Sequence, residues 1–246
     1  GTLGQTRVAF LPRHGRGHRL MPAEVPSRAN IYALKWLGVR RLISINAVGS
    51  LKEEIRPMDL VIPDQLIDRT QGRASTFFGE GVVVHVPFAE PFCGSLSRLL
   101  FQAANDVGAR VHKGGACVVI EGPAFSTKAE SYLYRSWGAS LVGMTQLPEA
   151  KLAREAGLCY SSIAMVTDYD CWHESHESVT VDMILANMAR TVDVTKNVIK
   201  RAIAGISPDK SCECEQALKY AIVTARDRIP LVRKKNLELL IGQYLK

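Results

Sequence analysis

The sequence predicts an α/β fold: a single domain with a mixed, mostly parallel central sheet flanked by helices. Three observations lead there. Short apolar and β-branched runs alternate with segments of helical period along most of the chain, the pattern of βαβ units. Several of those runs stop abruptly at small, polar or acidic residues, and in open α/β sheets ligands bind just past the strand ends. The chain has 246 residues, of which 47% are hydrophobic and 22% charged, enough for one substantial core.

Taken in order, Arg7–Pro12 reads as a strand running into Arg13-His14-Gly15-Arg16-Gly17-His18, a loop rich in cations and glycine. Glycine lets backbone approach a ligand closely, and an Arg fork matches phosphate oxygens; a solvated basic turn fits the same residues equally well. The loop lacks the Lys-Ser/Thr ending of a P-loop. Ser27–Leu37 has helical spacing and stops at Gly38. Arg40–Ala47 is the next strand, and the Asn46-Ala47-Val48-Gly49-Ser50 that closes it offers backbone N–H groups to an anion. Asp59–Asp68 is strand-like but broken by Pro63, which implies an edge, a bulge or two short strands. Gln71–Gly81 reads as a loop whose Phe77 and Phe78 either pack beneath it or meet another subunit.

His85–Phe92 carries two prolines and is neither a regular helix nor a central strand. Gly94–Val107 is a helix; Gly115–Ile120 is a buried strand that runs into Glu121-Gly122-Pro123-Ala124-Phe125-Ser126. Ser126 is placed to cap a helix over Lys128–Trp137. Ala139–Met144 is a short strand followed by Thr145, and Pro148 opens a helix to Ala156. Tyr160–Val166 is a strand that ends in Thr167-Asp168-Tyr169-Asp170. Val179–Ile203 is a long amphipathic helix of about seven turns. Gly205–Lys210 is a break, which divides residues 1–205 from a C-terminal helical extension, 206–246, expected to pack on the same domain.

Composition narrows the function. No apolar run approaches the ~20 residues of a membrane span, and the first residues do not read as a signal peptide, so no membrane partner is expected. The net charge is +7, but the basic residues are dispersed and aromatics are only 7%, which argues against nucleic acid; the excess either helps attract a small anionic substrate or simply keeps the protein in solution. The six cysteines lack paired zinc-type spacing, so reduced thiols in a cytoplasmic protein and no metal site are expected; a Cys212–Cys214 disulfide would close a very short, strained loop.

Beyond the strand ends, the residue types fall into groups. Arg13, His14, the Ala47 backbone and the Thr145 hydroxyl suit a phosphate. Phe125 and Met144 suit a planar ring and a sugar. Asp168 and Asp170 suit the N–H-rich edge of a heterocycle. Together they suggest a nucleoside and inorganic phosphate.

The stretches PRHGRGH, RANIYALKWLG, NAVGSLKEEI, HVPFAEPF, VIEGPAFST, GMTQLPEA and MVTDYDCW resemble the 5′-methylthioadenosine phosphorylases of the purine nucleoside phosphorylase superfamily. The resemblance runs from Arg7 to Ile203 and is weaker after Ser207, where the Cys-x-Cys resembles that of longer-tailed members. It implies a nucleoside phosphorylase-like fold and a homotrimeric pentosyltransferase, a glycosyltransferase of purine and methionine salvage. The enzyme would convert 5′-methylthioadenosine and phosphate into adenine and 5-methylthioribose 1-phosphate, with phosphate as co-substrate and no cofactor.

By the same resemblance Arg13, His14, Asn46, Ala47 and Thr145 hold phosphate, Met144 contacts the ribose and Phe125 stacks on the base. Asp168 and Asp170 bind the purine edge, Ser126 and Val181 match positions linked to substrate choice, and a neighbouring subunit contributes the residue matching His85. Of two close carboxyls one is expected to hold its proton near neutrality, and Asp168 is the expected acid at purine N7. Asn46 stands where close relatives have Thr. The family pattern opens with a strand and a Gly-Gly-Thr-Gly phosphate loop, and the matched part of this chain enters downstream of it; Gly1-Thr2-Leu3-Gly4 is not a substitute. A phosphorylase for adenosine or 5′-methylthioinosine, and a catalytically impaired nucleoside-binding protein, are the alternative readings.

Overall fold

In the computed structural model, which describes residues 1–173, 180–207 and 211–245, the chain opens with a minimal hairpin of β1 (Thr2–Leu3) and β2 (Thr6–Arg7). The strand expected over Arg7–Pro12 does not form beyond Arg7. Val8 still exchanges backbone hydrogen bonds with Gly1, but Ala9–Pro12 pairs with no strand among the described residues, and Phe10 is 80% exposed. Strand propensity is realised only against neighbours, and here there are none. Helix α1 (Ser27–Trp36) follows as expected, burying Ile31 and Leu34.

The main sheet begins with β3 (Arg41–Ser50), longer at its end than the sequence suggests. Asp59–Asp68 becomes two strands, β4 (Leu60–Ile62) and β5 (Gln65–Arg69), with Pro63 between them. Then come α2 (Gly94–Asp106), β6 (Val111–Lys113), β7 (Ala116–Ile120), α3 (Lys128–Ser136) and β8 (Leu141–Gly143). They are followed by α4 (Gln146–Glu155), β9 (Cys159–Asp168) and α5 (Val181–Ala204). The expected start of α5, Val179, lies outside the described residues. The cap of α3 is Thr127, not Ser126: Thr127 Oγ1 accepts from the Glu130 backbone N–H while the Glu130 carboxylate accepts from that of Thr127.

Seven strands form one mixed sheet in the order β5-β7-β8-β3-β9-β4-β6. The pairs β3/β9, β4/β6, β5/β7 and β7/β8 are parallel, while β3/β8 and β4/β9 are antiparallel. Two-residue links join β4 to β5 and β6 to β7, although these strands stand at opposite ends of the order. Links that short reach about 10 Å at most, so the sheet curls until its ends meet. The paired kinks are fastened together: the Asp64 carboxylate accepts from the Gly115 N–H at 3.0 Å.

Phe77 and Phe78 are buried in the main core, so packing beneath the loop is their role in this chain. The C-terminal extension departs from the helical expectation. Only α6 (Leu231–Asn236) and α7 (Glu238–Ile241) are α-helical there. Leu218, Ala221, Ile229, Leu237, Leu240 and Ile241 join the same core cluster as α1, α4 and β9. The apolar stripe of the tail is thus satisfied by the domain rather than by a continuous helix. Among the described residues, no helix is long and apolar enough to cross a membrane.

Candidate active site

Strand β3 is the spine of the site. It pairs in parallel with β9 (Asn46 opposite Ala164, Gly49 opposite Asp168) and antiparallel with β8 (Gly49 opposite Val142). The antiparallel pairing corrects the expectation of a single rim past the strand ends. The ends of β7 and β8 run back toward the middle of β3, so Thr145 meets Asn46, whereas Asp168 meets Gly49. Three residues of strand separate those levels, about 10 Å at the usual rise.

At the Asn46 level stands a cationic cluster. Arg13 donates from Nη2 to Asn46 Oδ1 at 2.6 Å, to the Ile45 carbonyl at 2.6 Å and to Thr145 Oγ1 at 3.1 Å. From Nη1 it donates to Ser44 Oγ at 2.8 Å and pairs with Glu149 at 3.3 Å. Thr145 in turn donates to Asn46 Oδ1 at 2.9 Å, and Asn46 Nδ2 donates to Ser162 Oγ at 2.7 Å. Arg13 Nε is buried without a partner. Glu149 also accepts from the Tyr160 hydroxyl at 3.0 Å and from Ser44 at 2.7 Å. The guanidinium is therefore aimed by a ring of acceptors and a counter-charge, the arrangement that pre-orients an Arg fork for an oxyanion.

His14 follows in the same loop. Its Nδ1 lies 2.8 Å from the Leu20 carbonyl, and its ring stacks on His18 at 4.3 Å. A carbonyl only accepts, so Nδ1 carries a proton and Nε2 is the nitrogen left for a ligand. Burial is the main reason the His14 pKa falls below the ordinary histidine value, which keeps the ring neutral at pH 7.

At the Gly49 level stands the carboxylate pair. Asp168 Oδ1 accepts from the Asp170 backbone N–H at 2.8 Å, and Oδ2 lies 2.7 Å from Thr167 Oγ1. A methyl group at Gly49 would stand 2.9 Å from Asp168 Oδ1, so glycine makes the room this carboxylate occupies. Burial raises the Asp168 pKa, opposed by the Thr167 hydroxyl and the Asp170 N–H. Burial pushes Asp170 up to about 6, and the Asp168 charge adds to it. Asp170 Oδ2, Ser126 Oγ and Ser131 Oγ are buried without a hydrogen-bond partner.

The strand end is pinned from every side. Asn187 of α5 donates to the Thr167 carbonyl at 2.7 Å, the Tyr169 hydroxyl to the Glu53 carbonyl at 3.1 Å and Trp172 Nε1 to the Ser50 carbonyl at 2.8 Å. Arg135 lies over the Trp172 ring, 3.4 Å from its centre.

The remaining sequence-predicted residues are placed unevenly. Met144 rests on Gly122, where a side chain would stand 2.7 Å from its sulfur. Phe125 is 45% exposed, and Ala47 is exposed on β3. Val181 is exposed at the first turn of α5. His85 is not brought to the carboxylates of its own chain: its N–H donates to the Ala221 carbonyl, and it borders a cavity with Cys93 and the Cys212–Ala217 stretch.

Sequence reasoning missed Arg73, Ser44, Glu149 and Thr167. Arg73 is buried to 4% side-chain exposure and holds the loops around Met144 together, donating to the carbonyls of Met144, Leu147, Ile120 and Glu121 and pairing with the Glu121 carboxylate. Nothing in its loop marks it locally, because its partners come from two other strand ends. The Thr167 role was legible in principle, as a hydroxyl directly beside the acid. No metal site was expected, yet four cysteines converge away from this site.

A family model described as phosphorylase superfamily matches residues 1–204. The S-methyl-5'-thioadenosine phosphorylase of Geobacter sulfurreducens is 56% identical over 246 residues, covering 100% of this chain and 86% of the relative. That of Koribacter versatilis is 54% identical over 244 residues, covering 99% and 84%. Among solved structures, a methylthioadenosine phosphorylase from an antarctic soil metagenomic library superposes with a TM-score of 0.89 at 48% identity, covering 94% of this chain and 82% of that one. A mutant adenosine/methylthioadenosine phosphorylase from Schistosoma mansoni, in complex with methylthioadenosine, gives a TM-score of 0.84 at 39% identity, covering 89% and 82%.

Proposed function

The chain belongs to the phosphorylase superfamily, and from that premise we propose that it cleaves 5′-methylthioadenosine with inorganic phosphate to give adenine and 5-methylthioribose 1-phosphate. The observation that carries the reading is the buried Asp168–Asp170 pair, set about 10 Å along β3 from the Arg13–Asn46–Thr145 cluster. That separation lets one end of a site read a base while the other holds an anion against the sugar.

In this reaction the C1′–N9 bond breaks, its electron pair goes to the purine, and a phosphate oxygen bonds to C1′. The purine leaves easily only if it is neutralised, so Asp168 gives its proton to N7 and is left as a carboxylate, to be reprotonated from solvent. General acid catalysis of this kind contributes about 10²–10⁴-fold. The unpartnered Asp170 Oδ2 accepts from the 6-amino group. A 6-oxopurine offers no such donor, and burying the acceptor unpaired would cost roughly 1–3 kcal/mol.

Arg13, His14, Asn46, the Ala47 backbone and Thr145 hold the phosphate, which both stabilises the developing sugar cation and attacks it. Met144 packs on the ribose and Phe125 stacks on the base. Ser126 and Val181 shape substrate choice, and His85 of the partner subunit closes the 5′-methylthio pocket in a homotrimer. Residues 206–246 serve as an extension of the 1–205 domain. The reaction needs no cofactor and belongs to cytoplasmic purine and methionine salvage.

The test is phosphate-dependent turnover of methylthioadenosine, adenosine and inosine, followed by adenine or hypoxanthine release. Methylthioadenosine is expected to be preferred, and Asp168→Asn to lower kcat far more than it raises KM. Preferential inosine cleavage, or no base release in excess phosphate, would overturn the reading.

A further inference from the structure

Away from the carboxylates and the Arg13 cluster, four cysteines from three separate stretches meet. Cys93 directly precedes α2, Cys159 opens β9, and Cys212 and Cys214 come from the C-terminal segment. Their sulfurs all lie within 4.8 Å of one another, and those of Cys93 and Cys212 are 3.6 Å apart. All four are free thiols, and Cys93, Cys159 and Cys214 are buried.

Two geometries could use such a group. A disulfide joins two sulfurs at about 2.0 Å and leaves the others aside. A tetrahedral ion with metal–sulfur bonds of about 2.3 Å holds four sulfurs some 3.8 Å from one another, every one adjacent to the other three. The second matches the observed arrangement, in which no pair stands apart from the rest. Soft thiolate ligands in a tetrahedral set select zinc among the common divalent ions.

We propose that Cys93, Cys159, Cys212 and Cys214 form an all-thiolate site for one zinc ion that fastens the C-terminal segment to β9 and α2. Four thiolates and a divalent ion leave two net negative charges; the adjoining cavity is lined by Arg98 and Arg154 together with Glu90 and Glu213. Cys93 sits at the N-terminus of the thirteen-residue helix α2, where backbone N–H groups favour a thiolate. Ser95 Oγ lies 3.1 Å from the Cys93 sulfur and is placed to donate to it, the kind of outer contact that orients a ligand. Each thiol surrenders its proton on binding, so the ion displaces up to one proton per cysteine. The site is structural, because all four positions are filled by protein, and it does not depend on the chemistry proposed for Asp168.

The experiment uses the full chain, expressed with zinc in the medium and purified under reducing conditions without chelator. Elemental analysis is expected to find one zinc per chain. Cobalt(II) in its place is expected to give the sulfur-to-cobalt charge-transfer absorption of a tetrahedral thiolate site. Cys159→Ser and the paired change Cys212→Ser with Cys214→Ser are expected to abolish both signals, and Cys171→Ser, outside the cluster, to keep them. Should Cys159→Ser fail to fold, the paired change in the C-terminal segment still decides. The proposal is overturned if the folded chain retains neither zinc nor cobalt after reconstitution, or if mass spectrometry finds a disulfide among the four cysteines of the purified protein.

Discussion

The backbone N–H of Asp170 donates to Asp168 Oδ1 at 2.8 Å. That one bond makes the two acids a unit with unequal members. Both oxygens of Asp168 are in contact with protein groups, Oδ1 with this N–H and Oδ2 with Thr167, whereas Asp170 keeps a buried oxygen with no partner. Tyr169 between them takes φ −93° and ψ 20°, which turns the Asp170 N–H back toward Asp168, and Asp170 itself adopts a positive φ of 48°. Groups this close titrate as a pair, so a proton on either is felt by the other.

The first prediction concerns stability against pH. Asp170 has a folded pKa of about 6, above the unfolded value of an aspartate. Between those two values the folded state binds more protons than the unfolded one, so stability falls as pH rises through that window. The neutral carboxyl is the favoured form, and its advantage is complete below pH about 4 and gone above about 6. Asp170→Asn removes the titration while keeping the shape. Its melting temperature, compared with the parent's from pH 4 to 8, is expected to gain on the parent as pH rises and then level off. A constant difference across the range would sink the idea that Asp170 is buried against its charge.

Thr167 supplies the second. Its hydroxyl has one proton and two acceptors in reach, Asp168 Oδ2 at 2.7 Å and the Val48 carbonyl at 3.2 Å. When Asp168 is charged the hydroxyl donates to it; when Asp168 is protonated the hydroxyl turns to Val48 and accepts from Asp168. The residue therefore serves both states of the proposed acid. Thr167→Val removes a donor that lowers the Asp168 pKa, so the alkaline limb of the kcat/KM profile is expected to move to higher pH. Its maximum should fall about tenfold, the worth of a charge-assisted hydrogen bond. An unmoved limb would separate Thr167 from the acid.

These features were legible to different degrees for a physical reason. The acidic pair could be read because it is local: a buried strand stops and two carboxylates follow. Strand direction is not local, and the antiparallel course of β8 was invisible until its partner was known, so a single rim was expected where the site runs along β3. β6 went unseen because Val111–Lys113 is too short and polar to carry a pattern, whereas Pro63 correctly marked a break. Thr127-Lys128-Ala129-Glu130 spells a capping box, and that reciprocal pair rather than Ser126 starts the helix. Phe10 and Leu11 have strand chemistry and no partner. The cysteines could not be grouped by spacing, since three distant segments supply them.

Arg13 carries the third prediction. It meets Asn46 and Thr145 on one side and Glu149 on the other, so its charge is aimed but locally offset. Arg13→Gln keeps a hydrogen-bonding group and loses the cation and fork. With nucleoside saturating, the KM for phosphate is expected to rise roughly 10- to 100-fold, from the ~1.5–3 kcal/mol of a hydrogen bond to a charged group. The KM for nucleoside should move little. A matching loss in nucleoside affinity would assign Arg13 to general architecture instead of the anion.

Arg73 is the last. Its guanidinium spans the loops after β7 and β8, and its side chain is only 4% exposed. It gives hydrogen bonds to four carbonyls and one carboxylate. Lysine would keep the charge but concentrate its donors at one point, leaving some of those acceptors without partners. Arg73→Lys is expected to lose roughly 3 kcal/mol of unfolding free energy, about two unsatisfied buried groups. Because Met144 is held through this clamp, the KM for nucleoside should also rise while the pH profile of kcat keeps its shape, since Arg73 touches neither acid. Urea denaturation and steady-state kinetics on the same preparation distinguish the outcomes. A stable variant with unchanged nucleoside KM would show that the Met144 loop stands without the clamp.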